Sequence, residues 1–314
     1  MRIAVLGAGA MGSVFGARLA LGGAKVTLLD VNAAHLAAIA ARGLIADLDG
    51  TEHRLPLAAM TPADFTGPAD LVLLFTKVFH TDAALGAIKG ALGDAMVLTL
   101  QNGIGNAERI AAHLPADRVI LGLTMTPAEF LAPGRVASHG AATTRFYSAD
   151  GQARPILDDL VAVMRKGGID AKADPEIQAA IWEKAAFNCA MNAICALTDG
   201  TPGGIGALPE ALTLAQDTAA EGIAVARASG IAASGERVRA LIDHAAAHHL
   251  LHAPSMLQDR KAGRRTEIDA LNAAIAERGA ALGIPVPINR MLTTLVRLAE
   301  AMPAYRQNTA GARP

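Results

Sequence analysis

Aromatic residues are scarce in this chain of 314 residues: one Trp, two Tyr and seven Phe amount to 3%. Alanine is abundant instead, so the core has to be built mainly from Ala, Leu, Ile and Val. Cysteine is almost lacking too. Cys189 and Cys195 sit six apart in one expected helix. That spacing puts them on different helix faces, argues against a local disulfide and points to a reducing compartment. A charge excess is missing as well, since the formal net charge is −1. The most basic stretch, Arg260-Lys261 with Arg264-Arg265, is short and flanked by acids, which leaves no electrostatic footprint for nucleic acid and no polybasic membrane patch. Apolar runs are broken by charges or glycines before they reach membrane-spanning length. With a first strand expected from Arg2, no signal or transit peptide is anticipated. No GxSxG nucleophile elbow occurs, and neither cysteine has the setting of an activated thiolate. These absences together predict a soluble, cytoplasmic protein with no nucleic-acid or membrane partner.

What remains is an apolar, globular composition, 52% hydrophobic and 18% charged. The length exceeds one ordinary hydrophobic core, so two domains are expected. Residues 1–173 alternate short apolar runs with helical patterns. Ile3–Leu6, Val26–Leu29, Leu71–Thr76, Met96–Leu100 and Val119–Leu123 read as buried strands, and the β-α-β order predicts a parallel sheet covered by helices. Gly134–Ser148 reads as a strand pair and Pro155–Lys166 as a helix packing back on the sheet. Residues 174–314 show helical periodicity without a convincing strand. Breaks fall at Gly200–Gly206 and Gly283–Pro287, and the tail after Pro303 is expected to fray. The fold class is therefore α/β, a Rossmann-type domain followed by an all-α domain.

The first strand runs into Gly7-Ala8-Gly9-Ala10-Met11-Gly12, and a helix follows. In that context Gly7 permits a tight turn, Gly9 lets a pyrophosphate approach the backbone, and Gly12 lets helix and strand pack closely. The helix N-terminus offers free amides to phosphate. Asp30 ends the second strand, 18 residues after Gly12. A carboxylate there can accept the 2′-hydroxyl of NAD and would repel the 2′-phosphate of NADP; the alternative is that Asp30 or Asn32 caps the helix starting near Ala33. Lys77 and Asn102 fall at the carboxyl ends of strands, where open α/β sheets bind ligands. An exposed strand-end lysine and a simple Asn102-Gly103 turn are the plainer readings.

In the helix WEKAAFNCAMNAIC, Lys184, Asn188 and Asn192 recur at i, i+4 and i+8 along one flank. A partly desolvated lysine has a lowered pKa and can donate a proton near neutrality, as ketone reduction requires. A lysine snorkelling from an amphipathic helix would look the same in isolation. Further on, Ser255 and Asp259 share a helix face, and Glu267 follows Arg264-Arg265. His244, His248, His249 and His252 have helical spacing, but no HExxH pattern accompanies them and no metal is expected.

The run PSMLQDRKAGRRTEID closely resembles the C-terminal signature of the ketopantoate reductase family. GAGAMG, Lys77, the QNG at Gln101–Gly103 and Lys184-x3-Asn188-x3-Asn192 match it too, so the resemblance covers nearly the whole chain. It implies a nicotinamide-dependent reduction of a 2-oxo acid such as 2-dehydropantoate, in a cleft between the domains of a possible homodimer. By the same resemblance Lys184 is the general acid, and Glu267 contacts the substrate or holds Lys184 charged. Ser255 helps fix the substrate carboxylate, Asn102, Asn188 and Asn192 line the pocket, and Lys77 and Asn102 border the nicotinamide. Two departures stand out. Many members carry an arginine near Asp30-Val31-Asn32 and prefer NADP, whereas Asp30 leads us to expect NAD here. The family often has a further pocket asparagine in the loop after the lysine helix, where this chain reads Asp199-Gly200-Thr201-Pro202-Gly203. The rival readings are a 3-hydroxyacid dehydrogenase of the β-hydroxyacid type, which SMLQD…TEID disfavours, and a non-catalytic NAD(P)-binding sensor, which Lys184, Asn188 and Glu267 disfavour.

Overall fold

A computed structural model describes residues 1–309. The chain divides into two compact units, residues 1–101 with 106–177, and residues 102–105 with 178–314.

The first unit is built on an eight-stranded sheet of β1 (Arg2–Leu6), β2 (Lys25–Leu29), β5 (Ala58–Met60), β6 (Leu71–Leu74), β7 (Met96–Thr99), β8 (Val119–Thr124), β11 (Thr143–Ser148) and β12 (Asp170–Ala173). Their order is β12-β11-β8-β7-β6-β1-β2-β5. All neighbours are parallel except β11 against β8, so the last two strands form a reversed edge. Strand β1 explains why the sequence reads as an unbroken apolar run. Ile3 and Val5 pack with α1 (Ala10–Leu21) and α5 (Pro155–Lys166), through Phe15, Leu160 and Met164 among others. Ala4 and Leu6 face the opposite way, toward Leu85 of α3 (Thr81–Ala87) and Ile110 of α4 (Asn106–Ala111). Both faces are buried, so alternation vanishes.

A second sheet was not expected. It consists of β3 (Leu44–Leu48), β4 (Thr51–Leu55), β9 (Glu129–Ala132) and β10 (Arg135–Ser138), in the order β4-β3-β10-β9. It corrects the strand pair expected within Gly134–Ser148: both segments are strands, but β10 pairs with β3 and β9 while β11 joins the main sheet. Hairpin β3–β4 turns at Asp49 and Gly50, whose φ angles of 53° and 85° form the left-handed pair that a two-residue hairpin needs.

The second unit is helical, with α6 (Ile177–Thr198), α7 (Pro202–Gly206), α8 (Pro209–Ala228), α9 (Gly235–His248), α10 (Ser255–Lys261), α11 (Asn272–Leu282) and α12 (Pro287–Thr309). Small residues replace the missing aromatics. Ala185, Ala186, Ala190, Ala193 and Ala196 of α6 are buried, and Gly222 of α8 lies so close that a methyl there would meet the Ala186 Cβ at 3.3 Å. A polar thread runs through this core: Asn272 Nδ2 donates to the Cys189 carbonyl and to Asn289 Oδ1, both at 3.0 Å, and Asn289 Nδ2 donates to Glu221 at 2.8 Å. The fraying expected after Pro303 is not seen as far as Thr309, where the backbone is still helical; residues 310–314 lie outside the described part. Among the described residues no helix is long and apolar enough to cross a membrane.

Candidate active site

The turn between β1 and α1 has the shape that its glycines dictate. Gly7 adopts φ 97°, and a Cβ on Gly12 would stand 2.1 Å from the Gly7 carbonyl oxygen. Space over Gly9 is open to 4 Å. The turn is pinned to the neighbouring strand, since the amides of Gly7 and Ala8 both donate to the Leu29 carbonyl. What is left is a bare backbone cradle at the start of a helix, with room where a side chain would intrude on a phosphate. Ala10 and Met11 begin that helix.

Asp30 follows β2 and is half-buried. Its Oδ1 accepts the Asn32 amide at 2.8 Å, while Asn32 itself caps α2 (Ala33–Arg42) by accepting the His35 amide at 3.1 Å. The capping role therefore belongs to Asn32. Arg42, the last residue of α2, donates to the Pro133 carbonyl at 2.7 Å.

Lys77 follows β6, half-buried, at the entry to a short 3-10 turn. Sequence reasoning passed over its neighbour in the QNG run, Gln101. Gln101 Nε2 donates to the Thr76 carbonyl at 2.7 Å and to Thr81 Oγ1 at 2.9 Å, and its Oε1 accepts from Thr99 Oγ1 at 3.0 Å. One amide thus ties together the carboxyl ends of β6 and β7, the two strands that precede Lys77 and Asn102. The glutamine supplies a half-buried amide with three partners.

In the helical unit, α6 carries Lys184, Asn188 and Asn192 on one flank. Lys184 and Asn188 are half-buried and Asn192 is buried. Loss of solvent around Lys184 lowers its pKa from 10.5 to about 8, against the opposing pull of the Glu267 carboxylate. Glu267 is buried, and it accepts a long hydrogen bond from Asn102 Nδ2 at 3.4 Å. The segment bearing Glu267 is fastened on every side: Glu300 accepts the Thr266 amide at 2.8 Å, and Asp269 is held by Arg265 and Arg297 at 2.7 and 2.6 Å. The Ile104 amide donates to the Ala270 carbonyl at 3.1 Å, which seats residues 102–105 against that segment. The structure thus brings Lys184, Glu267 and Asn102 into one cluster. Ser255 is exposed at the first position of α10, whereas Asp259, one turn on, is buried against Arg264 at 2.9 Å.

The other candidates are chemically quiet. Burial raises both thiol pKa values, that of Cys195 to about 12, so neither is a thiolate. His244 and His248 stack with ring centroids 4.3 Å apart, and no cluster of metal-binding side chains occurs among the described residues.

The model of the family described as "Ketopantoate reductase PanE/ApbA" matches residues 3–151, and its C-terminal counterpart matches residues 176–300. The chain belongs to the ketopantoate reductase family. A relative named 2-dehydropantoate 2-reductase, from Halobacterium salinarum, is 36% identical over 303 residues, covering 96% of this chain and 99% of its own. Among solved structures, a PanE/ApbA family ketopantoate reductase from Ralstonia eutropha JMP134 superposes with a TM-score of 0.88 at 34% identity, over 96% of this chain and 99% of that one. D-mandelate dehydrogenase, in a ternary structure with NADH and anilino(oxo)acetate, reaches a TM-score of 0.90 at 31% identity, over 96% and 99% of the two chains. The family's α/β architecture, a parallel sheet domain followed by helices, is the one described above.

Proposed function

We propose that the chain is an NAD(P)-dependent oxidoreductase that reduces 2-dehydropantoate to pantoate. The observation that carries the reading is Lys184, a half-buried lysine with a pKa near 8 opposite the buried carboxylate of Glu267. A helix needs no such pair for stability, because burying a lysine costs free energy. A nicotinamide dinucleotide bound at the Gly7–Gly12 cradle supplies the hydride. Lys184 gives its proton to the carbonyl oxygen as that oxygen gains charge, and Glu267 favours the protonated lysine beforehand. Asn102 orients Glu267, Asn188 and Asn192 present amide donors and acceptors along the same flank, and Ser255 is assigned to the substrate carboxylate. Lys77 borders the nicotinamide.

For the cofactor, the proposal favours NAD. Asp30 has one carboxylate oxygen engaged by Asn32, leaving the other for a ribose 2′-hydroxyl, and Arg42 is committed to Pro133. Residence in a reducing cytoplasm suits two buried thiols, and a homodimer is part of the proposal, to be checked by light scattering.

A second reading concerns the substrate. D-mandelate dehydrogenase is as similar in fold as the ketopantoate reductases. The loop where the family often has an asparagine reads Asp199-Gly200-Thr201-Pro202-Gly203 here, with Asp199 at φ 54° and paired with Lys261 at 2.9 Å. The likeness to D-mandelate dehydrogenase favours considering bulkier branched or aryl 2-oxo acids. Initial rates with 2-dehydropantoate, branched 2-oxo acids and phenylglyoxylate, each with NADH and NADPH, test the two readings together. A kcat/KM for 2-dehydropantoate no higher than for the other acids would sink the first.

A further inference from the structure

His35 is a buried histidine that the chemistry above does not use, and its three neighbours define its proton. It lies on α2 with 1% of its surface exposed. Its Nδ1 is 2.9 Å from the Gly134 amide nitrogen and its Nε2 is 3.1 Å from Ser13 Oγ, while Ser13 Oγ is 2.7 Å from the Ala8 carbonyl oxygen. A backbone amide can only donate, so Nδ1 must present a lone pair. A carbonyl can only accept, so Ser13 gives its hydroxyl proton to Ala8. Ser13 Oγ then has lone pairs left, and Nε2 must carry the hydrogen that bonds to it. Every polar atom of the chain Gly134–His35–Ser13–Ala8 is satisfied in one arrangement only, with a neutral imidazole. Burial lowers the His35 pKa and so favours that neutral form, while the Asp30 carboxylate and a contact with the Ala8 backbone act the other way.

Ala8 is the second residue of the glycine-rich turn, and its carbonyl is the end of this chain of bonds. The Ala8 peptide is therefore held from both sides, by the Leu29 carbonyl through its nitrogen and by Ser13 through its oxygen. The far end is also anchored, because Arg42 holds Pro133 next to Gly134 and the His35 ring packs against Phe130 with centroids 5.0 Å apart. We propose that Ser13 and His35 are positioning residues for dinucleotide binding: they orient the Ala8 peptide, and with it the amides that follow, through the bond that His35 gives to Ser13 and the bond that Ser13 gives to Ala8. This rests on the dinucleotide reading of the Gly7–Gly12 cradle.

The test separates the two arms of the imidazole. Gln in place of His places an amide N–H near the position of Nε2, whereas Asn places an acceptor near that of Nδ1. The dissociation constants of NADH and NADPH are measured by calorimetry for the wild type, Ser13→Ala, His35→Gln and His35→Asn, with steady-state kinetics alongside. Loss of one buried hydrogen bond at the turn should weaken binding roughly five- to fiftyfold. Ser13→Ala and His35→Asn should show that loss in Kd and in the KM for the dinucleotide, with little change in kcat at saturation. His35→Gln, which keeps the bond to Ser13, should stay within a few-fold of the wild type. A general loss of folding would not produce this order. Unchanged binding in Ser13→Ala and His35→Asn, or His35→Gln as weak as His35→Asn, would overturn the proposal. Wild-type protein that binds neither dinucleotide would instead overturn the cofactor reading, and this inference with it.

Discussion

The side-chain amide of Asn102 reaches the carboxylate of Glu267 at 3.4 Å across 165 residues of sequence. An amide nitrogen donates, so the Glu267 carboxylate is the acceptor of that bond. The same anion raises the pKa of Lys184, which burial alone would drive lower still. Glu267→Gln therefore removes a field that keeps Lys184 protonated. For a lysine acting as general acid with a pKa near 8, kcat/KM for reduction should be level at lower pH and fall as pH rises through about 8. In Glu267→Gln that falling limb should move to lower pH. A pH–rate profile for both proteins measures the shift, and identical limbs would remove Glu267 from the lysine's environment.

Lys184→Ala should lower kcat by on the order of 10²–10⁴, the range for loss of a positioned acid, with the dinucleotide Kd unchanged. Stability should move in the opposite direction from activity. At pH 7 the lysine is charged in both folded and unfolded chains, but only the folded one bears the cost of a poorly solvated ammonium. Its folded pKa lies below the unfolded value, so that cost is fully present below about 8 and fades toward 10.5. Lys184→Met should thus be about 1–2 kcal/mol more stable than the wild type at pH 7. The advantage should shrink as pH rises toward 10.5. Urea denaturation at pH 7 and pH 10 provides the comparison; a variant less stable at pH 7 would mean that the lysine contributes packing or bonds that outweigh its burial.

Ser255→Ala should act on the KM of the 2-oxo acid and leave the pH profile where it is, because Ser255 is exposed and its hydroxyl does not titrate in this range. Unchanged KM and kcat together would reduce Ser255 to the first residue of a helix.

Asp30 should give NADH a kcat/KM at least tenfold above that of NADPH, since a carboxylate facing a 2′-phosphate costs a few kcal/mol. Asp30→Ala should narrow the gap from the NADPH side. Because Asn32 supplies the helix cap by accepting the His35 amide, the substitution should cost little stability. A wild-type preference for NADPH would show that the 2′-phosphate is met by a base other than Arg42.

Local order was legible in the sequence wherever short-range sterics decide it. A glycine with φ 97° at residue 7, the apolar run of β1 and the proline-led helix from Pro155 to Lys166 depend on a few neighbouring residues, and each leaves a mark in the chain. The flank of Lys184, Asn188 and Asn192 is likewise a matter of helical period. The Asp49-Gly50 turn marks hairpin β3–β4 just as clearly. The pairing of β10 with β3 rather than with β11 had no such mark, because alternating residues fit either partner and only the packed sheet chooses. The lowered pKa of Lys184, the hold of Asn102 on Glu267 and the single tautomer of His35 belong to this second kind. Each depends on desolvation or on a partner far away in the chain: 165 positions for Asn102 with Glu267, and 99 for His35 with Gly134. Residue type and spacing determined which groups could do chemistry; burial and long-range contact decided which of them carry a shifted proton, and that is a property of the tertiary structure alone.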